Sequence, residues 1–492
     1  MFGITLRGKS LYTVLNACCG LAFMMYGYDA GVLGGVQDTE PFLAAMGHPT
    51  GTYIIPMIAS SYTLAATVSC VVVMLIGMRL GRRGCLLSGL ALVIVGASLQ
   101  ASAWSVAQII VARVLCGFGI GFISCTVPTY ITEMSLLAAE RGPGVAIQTC
   151  MIITGIALAY WLDFGTTRTN GQFSWRFPIG FQLVFALASA TGILLLPDTP
   201  RWYYATGRYE QGDRVLTQLY ELPLEDEHVQ TIKVQILASV RLEEEEVNKF
   251  NVLDLFWDRS NLRVDQRIRI AFLLQAFQNM MGVNLMVYYA TIILANVGLS
   301  AFNIGIVAAV MQTFFALGTY PLPRTIERFG RRGILMWTAF TCGTCLVVFV
   351  IMIGIPNPTK ATQWVAVASL FVCLFSFGYG WCGVPWVYAA ETAPLKYRHI
   401  GGAACAMGEW SFAFVTVFGG GIALQNVGWK IWLWTILASY LVIPLVWFYC
   451  PETTGKSLEE VDLLYAKDVS PVVMEVLEHP SSKEAAGGIE AV

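Results

Sequence analysis

Two charged residues lie inside stretches of sequence that are otherwise apolar. Asp29 falls in the first apolar stretch and Arg113 in the fourth. A charged side chain in the core of a bilayer costs at least about 2.5–3.5 kcal/mol on insertion scales, so such residues usually face a water-filled cavity and pair with an opposite charge. A carboxylate that can leave and rejoin an arginine could bind and release a proton. The structural alternative is a static ion pair that only joins two helices.

Uncharged amides form a second group of polar residues within one apolar stretch, the seventh. Amides supply both hydrogen-bond donors and acceptors, which suits a ligand rich in hydroxyl groups, although they can also join helices to one another. Two tryptophans further along the chain could form apolar floors under a sugar ring, and a carboxylate precedes the second of them. The candidate solute-binding residues from these observations are Gln275, Gln278, Asn279, Asn284, Trp386, Glu409 and Trp410.

The composition indicates that these residues belong to a membrane protein. Hydrophobic residues make up 56% of the 492, charged residues only 13%, and the mean hydropathy is +0.63, whereas soluble chains carry about 25% charged residues. A run of about 20 apolar residues spans a bilayer. Twelve such runs are predicted as transmembrane helices: 11–35, 52–76, 85–103, 105–133, 144–163, 177–196, 268–296, 302–322, 334–355, 363–389, 402–423 and 429–450. The fold class is therefore predicted to be an all-α membrane protein.

Several function classes are excluded at this point. A net charge of -2 and a pI near 6.1 give no excess of positive charge for binding a nucleic acid. Many of the thirteen cysteines lie within apolar runs, where cysteine acts as a small hydrophobe, and the four histidines lie in predicted loops or tails. We therefore expect no metal site and no cofactor, and no catalytic constellation indicates an enzyme.

Lysine and arginine in the short loops predict the orientation. One side of the predicted bundle collects most of them, together with a polar segment whose apolar residues recur at helical spacing. We expect that side, both termini and the polar segment to be cytoplasmic, in a protein of the plasma membrane. The predicted parts are a cytoplasmic tail (1–10), a six-helix bundle (11–196), a cytoplasmic helical linker (197–267), a second six-helix bundle (268–450) and a cytoplasmic tail (451–492).

The two predicted bundles carry the same loop. Arg79-Leu-Gly-Arg-Arg-Gly84 follows the second apolar run, and Arg328-Phe-Gly-Arg-Arg-Gly333 follows the eighth, which is the second run of the second bundle. Positive loops alone would account for the charge but not for the matched Gly-Arg-Arg spacing. The repeat indicates a duplicated bundle, and transporters built from such repeats bind their solute near the membrane midplane between the two halves.

Nine motifs taken together resemble the sugar porters of the major facilitator superfamily, and fungal members most closely. They are Gly27-Tyr-Asp-Ala-Gly31, Arg79 to Arg83, Arg113 with Gly117 to Gly121, Pro128 to Glu133, Pro197 to Trp202, Gln278 to Asn284 with Tyr288 and Tyr289, Glu327 to Arg332, Pro385-Trp386 with Glu391, and Pro451 to Gly455 with Leu458 to Glu460. Tyr160 to Gly165 looks like the branch that includes fungal proton-coupled glycerol and sugar symporters.

The resemblance implies a twelve-helix fold in two bundles that works by alternating access as a monomer, with a proton gradient as its energy source. In proton-coupled relatives the residues that match Asp29 and Arg113 form the coupling pair. The resemblance also adds Gln148 and Thr149 to the binding residues, because a sugar-contacting glutamine would sit at 149. The departures are an acid replaced by Met78, a second glutamine replaced by Asn279, and Glu409 where the family places asparagine or glutamine.

Charged residues at the basic ends of the helices form a candidate gate. Salt bridges between the two bundles, formed only in the outward-open state, would hold the inner side shut; the alternative is a solvated face that only sets topology. The predicted gate consists of Arg82, Arg83, Glu133, Arg141, Glu327, Arg331, Arg332, Glu391 and Arg398. Tyr288 and Tyr289 are predicted to serve as gate and packing residues.

The sequence therefore predicts a secondary active transporter that takes up a monosaccharide or polyol with a proton. A small polar solute and the lipid bilayer are its expected partners. Two alternatives remain open. The same fold could carry an amine-bearing solute or a secondary metabolite, since Glu409 would suit a cation, or the chain could be a non-transporting sugar sensor, against which the short predicted tail argues.

Overall fold

The computed structural model describes residues 6–136, 138–169, 171–247, 263–392 and 398–456, together with Val461 and Tyr465. These residues form α-helices and no strand. The helices are α1 (Gly8–Val36), α2 (Glu40–Ala45), α3 (Ile54–Ala101), α4 (Val106–Met134), α5 (Ala138–Thr166), α6 (Phe173–Leu195), α7 (Pro200–Ala205), α8 (Tyr209–Tyr220), α9 (Glu227–Val247), α10 (Val264–Met280), α11 (Val283–Tyr288), α12 (Ala290–Val297), α13 (Ala301–Thr319), α14 (Leu322–Phe329), α15 (Arg331–Ile353), α16 (Lys360–Tyr379), α17 (Val384–Thr392), α18 (Arg398–Phe414), α19 (Gly420–Asn426) and α20 (Trp432–Tyr449).

The predicted twelve membrane crossings are confirmed, although the helices are divided differently. Within the described ranges, ten helical segments are long and apolar enough to cross a membrane. The 48-residue α3 provides two crossings, because its backbone turns sharply at Gly81, where φ is +77°. The seventh crossing is divided into α10, α11 and α12, so none of its pieces reaches spanning length alone. The chain is an integral membrane protein.

The helices pack as two related groups. In the first half (α1 to α6), α1 lies against α5 and α6, and α3 lies against α4 and α6. In the second half (α10 to α20), α10 packs on α18, and α15 packs on α16 and α20. The halves meet where α3 contacts α18 and where α5 contacts α13. Helices α5 and α18, which bear predicted binding residues, therefore lie at this junction.

The segment between the halves is helical, as its apolar spacing predicts. Helices α7, α8 and α9 bury a small cluster of their own, in which Tyr204, Leu216 and Val229 are buried and Ile232 and Ile236 pack against them. The amphipathic face of α9 therefore covers its two neighbours rather than a lipid surface. Residues 248–262 of the predicted linker lie outside the described ranges.

A carboxylate closes the first Gly-Arg-Arg loop. Asp198 accepts hydrogen bonds from the backbone nitrogens of Arg82 and Arg83, both at 3.1 Å. A Cβ on Gly81 would come within 2.3 Å of a carboxylate oxygen of Asp198. The positive φ and the close approach both require glycine at this position. The free N–H groups at a helix start favour an anion, so Asp198 fixes where the third crossing begins.

The second loop repeats this arrangement with a glutamate. Glu452 accepts from the backbone nitrogens of Arg331 and Arg332 at 2.9 and 3.0 Å. Gly330 has φ +76°, and a Cβ there would lie 2.5 Å from a carboxylate oxygen of Glu452. The matched Gly-Arg-Arg spacing in the sequence thus corresponds to matched geometry. We call the two arrangements the first and second carboxylate caps.

The second cap makes stability depend on pH. Burial raises the pKa of Glu452, but hydrogen bonds from Thr454 and from the backbone of Arg331 and Arg332 outweigh that effect and leave the pKa below its ordinary value. An acid whose folded pKa is lowered stabilises the fold fully above its unfolded pKa, near about 4.3, and that stabilisation is lost as the pH falls from there through the lower folded pKa.

We expect Glu452→Gln to lower the free energy of unfolding at neutral pH by about 1–3 kcal/mol, because two backbone donors lose a charged acceptor. Thermal unfolding of the detergent-solubilised protein measures this loss, and the difference from the parent should shrink as the pH is lowered to about 3. Glu210→Gln, on the exposed surface of α8, is the control and should change nothing. An equal loss of stability at both pH values would contradict a charge-dependent cap.

Candidate functional site

The predicted ion pair of the first half is formed within the protein core. Asp29 on α1 and Arg113 on α4 are both fully buried, and Nη1 of Arg113 lies 3.1 Å from Oδ2 of Asp29. The other carboxylate oxygen faces Nε2 of Gln100, 3.4 Å away. Both charges are therefore removed from lipid and water, and each compensates the other.

Arg113 does not depend on the carboxylate alone. Its guanidinium also donates to the backbone carbonyls of Ile58 at 3.3 Å, Ala59 at 3.1 Å and Asp29 itself at 3.4 Å. It lies 4.7 Å from the centre of the Tyr62 ring, a cation–π distance. If Asp29 became neutral, the arginine would keep these partners, so the pair is built to tolerate a change of protonation.

Aromatic rings connect this pair to the second half. The Tyr62 ring packs edge-on against Trp410 of α18 with centroids 5.5 Å apart, and Tyr26 of α1 contacts the same tryptophan at 5.2 Å. The indole nitrogen of Trp410 donates to Oγ of Ser124 on α4 at 3.1 Å. Trp410 is buried and joins the two halves, and its role as an apolar floor for a ring stays a prediction.

The amides predicted on the seventh crossing lie together with the predicted glutamate. Asn279 donates to Oε2 of Glu409 at 2.9 Å and accepts from Asn284 at 2.5 Å. In the amide orientation that satisfies both of its polar atoms, Gln275 donates to the same Oε2 at 3.0 Å and accepts from Nε1 of Trp386 at 3.1 Å. Gln278 is buried nearby on α10. These residues form one hydrogen-bonded group, which we call the amide cluster.

Glu409 is the charged member of the amide cluster, and its two oxygens differ. The described residues donate hydrogen bonds to Oε2 only, whereas Oε1 receives none from them. The residue is partly exposed between the halves. An ionised carboxylate is purely an acceptor, so Oε1 is placed to accept from a hydroxyl or an ammonium group of a solute.

The first half contributes two predicted binding residues on α5, and they point in different directions. Gln148 donates to the side chain of Asn16 on α1 at 3.3 Å, and its own oxygen is buried without a donor among the described residues. Thr149 lies close to Gly383, at the break between α16 and α17, where a Cβ would be 4.0 Å from its hydroxyl. Thr149 therefore borders the second half, while Gln148 borders α1.

The end of the bundle away from the Gly-Arg-Arg loops is closed by contacts between the halves. Gln37 donates to the carbonyl of Tyr288 at 2.6 Å, and Tyr160 donates to the carbonyl of Val287 at 2.5 Å. Thr291 donates to Oδ2 of Asp38 at 2.9 Å. We call this set of contacts the distal gate. The expectation that Tyr288 belongs to a gate thus agrees with its position.

The opposite end, which carries both carboxylate caps, holds the predicted gate charges, and we call it the basic face. Arg82 pairs with Glu133 at 2.7 Å, and Arg331 pairs with Glu391 at 2.6 Å. Each acid also accepts from a threonine of the adjoining cap, Thr199 at 2.6 Å and Thr453 at 2.7 Å. The two halves therefore repeat not only the caps but also the ion pairs above them.

The repeat differs at one position. Arg331 forms a second ion pair with Glu327 at 2.5 Å, whereas the equivalent position in the first half is Met78, whose sulfur lies 3.3 Å from a nitrogen of Arg82. The arginine–glutamate bond in the second half lowers the pKa of Glu327. The first half thus has one strong acceptor fewer.

The remaining gate residues bind within their own half or lie outside the described region. Arg83 donates to the carbonyl of Leu194 at 2.6 Å, and Arg332 donates to that of Trp447 at 2.5 Å. The side chains of Arg141 and Arg398 fall outside the part of the chain that is described. The ion pairs described at this face are each internal to one half, so pairing between the halves stays a prediction for a state in which the basic face is closed.

Sequence reasoning did not find Tyr26, Tyr62, Gln100 and Ser124, which carry the contacts between the ion pair and Trp410. Gln100 could have been singled out from the sequence, because a single amide at the end of an apolar run needs a hydrogen-bond partner there. The tyrosines and the serine gave none, since such residues occur throughout membrane helices and their partners lie far away in sequence.

Comparisons with known proteins agree with this architecture. The sequence profile of the family described as "Sugar (and other) transporter" matches residues 14–465. The MFS-type transporter oryC of Aspergillus oryzae is 32% identical over 480 residues, which are 96% of this chain and 88% of the relative. The sugar transporter STL1 of Saccharomyces cerevisiae is 30% identical over 475 residues, covering 94% of this chain and 82% of its own length.

A solved structure of the major facilitator superfamily proton:xylose symporter XylE, bound to 6-bromo-6-deoxy-D-glucose, superimposes with a TM-score of 0.77. The match covers 93% of this chain and 100% of that one at 20% sequence identity. At this identity the likeness establishes the fold.

The contact between Ser124 and Trp410 can be tested with a double-mutant cycle. Because the bond is neutral and buried, we expect Ser124→Ala and Trp410→Phe to show a coupling energy of about 0.5–1.5 kcal/mol in thermal unfolding. Thr154 with Tyr320, whose hydroxyls are 2.9 Å apart across the same junction, is the comparison pair. Strict additivity of the Ser124 and Trp410 substitutions would show that the bond does not hold the halves together.

Proposed function

The chain belongs to the sugar transporter family, and from that membership we propose that it takes up a monosaccharide or polyol together with a proton, across the plasma membrane, by alternating access. The observation that carries the proposal is the buried Asp29–Arg113 pair, because Arg113 lies against Tyr62 and Tyr62 packs on Trp410, which follows Glu409 of the amide cluster in the chain. The ion pair and the amide cluster are thus linked through neighbouring residues. The energy source is the proton gradient, with no cofactor.

The orientation in this proposal places the basic face and both termini in the cytoplasm. Arginines crowd that face, at Arg82, Arg83, Arg331 and Arg332, and an excess of lysine and arginine is typical of cytoplasmic loops. The distal gate is then the extracellular gate. A monomer is the functional unit in this proposal.

The proton step begins at Asp29. A proton that reaches the carboxylate from outside removes its charge and ends the ion pair with Arg113. The guanidinium keeps the carbonyls of Ile58 and Ala59, so its charge stays satisfied while it becomes free to shift. Because Tyr62 lies against both Arg113 and Trp410, that shift alters the surface on which the two halves meet.

The solute step uses donors and acceptors from both halves. The amides of Gln275, Gln278 and Asn284 belong to the second half, and Thr149 borders it from the first. A ring with several hydroxyls can satisfy such amides in either direction, and Trp386 offers an apolar face beside them. A solute that touches both halves favours the state in which they have closed on it, by as much as its affinities for the two states differ.

Glu409 extends the choice of solute beyond a common hexose. An amide at this position could both donate and accept, whereas the free Oε1 of an ionised Glu409 only accepts. Polyols suit it, because their hydroxyls turn freely to donate. An amine-bearing solute is the second candidate, because an ammonium group would also neutralise the carboxylate. No comparable observation favours a sensor that does not transport.

Asp29→Asn should abolish uphill accumulation of the solute and leave its movement down a gradient. With one proton per solute, a gradient of about one pH unit can drive about tenfold accumulation in the parent, and the variant should reach equilibrium only. Uptake into proteoliposomes with an imposed pH gradient measures this, with hexoses, pentoses and polyols tested in turn.

Glu40→Gln, at the exposed start of α2, is the control and should accumulate solute like the parent. If Asp29→Asn also accumulates solute against its gradient, the ion pair is static and the coupling lies elsewhere. Transport that never responds to pH in the parent would instead identify a passive carrier.

Glu409→Gln should change the ranking of solutes, because the residue would regain a donor toward the site. We expect the ratio of hexose to polyol uptake to rise by about tenfold, the effect of one hydrogen bond gained and one lost. Glu40→Gln, which removes an exposed carboxylate far from the amide cluster in sequence, is the control and should keep the parent's ranking. An unchanged ranking and an unchanged pH profile would show that Glu409 does not contact the solute.

A further inference from the structure

Asp163 on α5 is a buried acid that the proposed cycle does not use. Its side chain is only 2% exposed, and neither carboxylate oxygen has a hydrogen-bond partner among the described residues. The other buried acid of the first half, Asp29, has an arginine and an amide as partners. An ionised carboxylate without any partner is strongly disfavoured in such surroundings, whereas the protonated form carries no charge.

The position of Asp163 connects it to the distal gate. A Cβ on Gly35 of α1 would come within 2.2 Å of its Oδ2, so the backbone of α1 lies directly on the carboxyl group. One turn earlier on α5, the Tyr160 hydroxyl donates to the carbonyl of Val287 on α11. Asp163 therefore lies where α1 and α5 of the first half meet the gate segment of the second half.

Within the described region, no neighbouring positive charge offsets the cost of burying an ionised Asp163. From α1, Tyr28 interacts with it electrostatically, but its hydroxyl donates to the carbonyl of Pro178 at 2.8 Å. Just beyond the end of α5, Arg168 stacks on the rings of Phe164 and Phe302, with distances of 4.0 and 5.0 Å to the ring centres.

The other titratable groups of this region already have hydrogen-bond partners elsewhere. Arg176 of α6 donates to the carbonyls of Ala101 and Ala103 at 2.7 and 2.8 Å. Asp38, beyond the end of α1, accepts from Thr291, and Tyr160 binds Val287. Neutralisation by a proton is thus the remaining way to bury this acid.

We infer that Asp163 is a second proton-binding site, separate from the Asp29–Arg113 pair, whose protonation permits the extracellular gate to close. When α11 moves away with the second half, the contact between Tyr160 and Val287 opens and water reaches the acid, which can then ionise. Closure requires that the proton return. An acidic exterior therefore favours the closed gate, before any solute is bound.

This inference uses the orientation and the alternating access of the proposed function, but it does not require that solute transport be coupled to protons. Gate closure can be measured without solute, so a failure of symport and a failure of this inference give different results. A passive carrier with the same gate would still show the effect.

The experiment reports gate opening through a cysteine at position 290. Ala290 is fully buried next to Tyr289, at the start of α12, and Ala290→Cys adds a small thiol that an impermeant maleimide can reach only from an open gate. Labelling of the protein without this substitution gives the background of the native thiols. The maleimide reaction itself speeds up with pH, so rates are divided by those of the same thiol in the unfolded protein.

In the Ala290→Cys protein, the corrected labelling rate should rise by about tenfold between about pH 5.5 and about pH 7.5, because opening is linked to the loss of one proton. Asp163→Asn imitates the protonated acid and should hold the rate at its low-pH value throughout. Glu40→Gln, which removes an exposed carboxylate at the start of α2 that takes no part in the gate, should keep the parent's dependence on pH.

A parent rate that does not change with pH would overturn the inference, and so would an Asp163→Asn protein that still responds like the parent. If Asp163→Asn does not fold, infrared spectra of the parent and of Asp163→Glu decide the matter. A protonated carboxyl band whose position shifts in Asp163→Glu supports the inference, and an identical band in both proteins contradicts it.

Discussion

Within the hydrocarbon core of a membrane no water is available, so a charged group must find its partner inside the protein or lose its charge. This constraint determines the arrangement of the charged side chains in this transporter. Asp29 is buried only with Arg113, and Arg113 only with the carbonyls of Ile58 and Ala59 around it. Glu409 is placed among amide donors. Because each of these groups is tied to a partner on another helix, the helices that bear them cannot be moved independently.

The two halves also repeat each other at the basic face, where backbone groups need partners at the ends of the crossings. Each reversal of the chain leaves free N–H groups at the start of the following helix, and a carboxylate from a distant segment binds them, Asp198 in the first half and Glu452 in the second. The solution depends on a glycine with positive φ and on an acid that follows the last crossing of each half. The exchange of an acid for Met78 removes one ion pair but leaves the cap itself unchanged.

The sequence was sufficient for those features that hydrophobic runs and repeated motifs encode directly. Twelve crossings, the duplicated loop and the residues of the ion pair could all be predicted from it. The division of the seventh crossing at Gly282 could not, because apolar content does not show where a helix breaks. The partners of Trp410 were also hidden, since contacts between Tyr62, Ser124 and Trp410 join residues far apart in the chain. No role was predicted for Asp163, because only the packed structure shows that this acid is buried without a partner.

The contacts differ in strength according to whether the transport cycle must break them. Within each half, the basic face is held by charged bonds, such as Arg82 with Glu133 and Arg331 with Glu391, and hydrogen bonds to charged groups are worth about 1.5–3 kcal/mol. Between the halves, the buried bonds are neutral, as between Trp410 and Ser124 or between Tyr160 and Val287, and each is worth about 0.5–1.5 kcal/mol. Asp38 is a carboxylate that bonds across the junction, but it lies exposed at the rim, where water can replace its partner. The halves can therefore separate at a small cost in free energy while each remains rigid, which is what rocking about a central site requires.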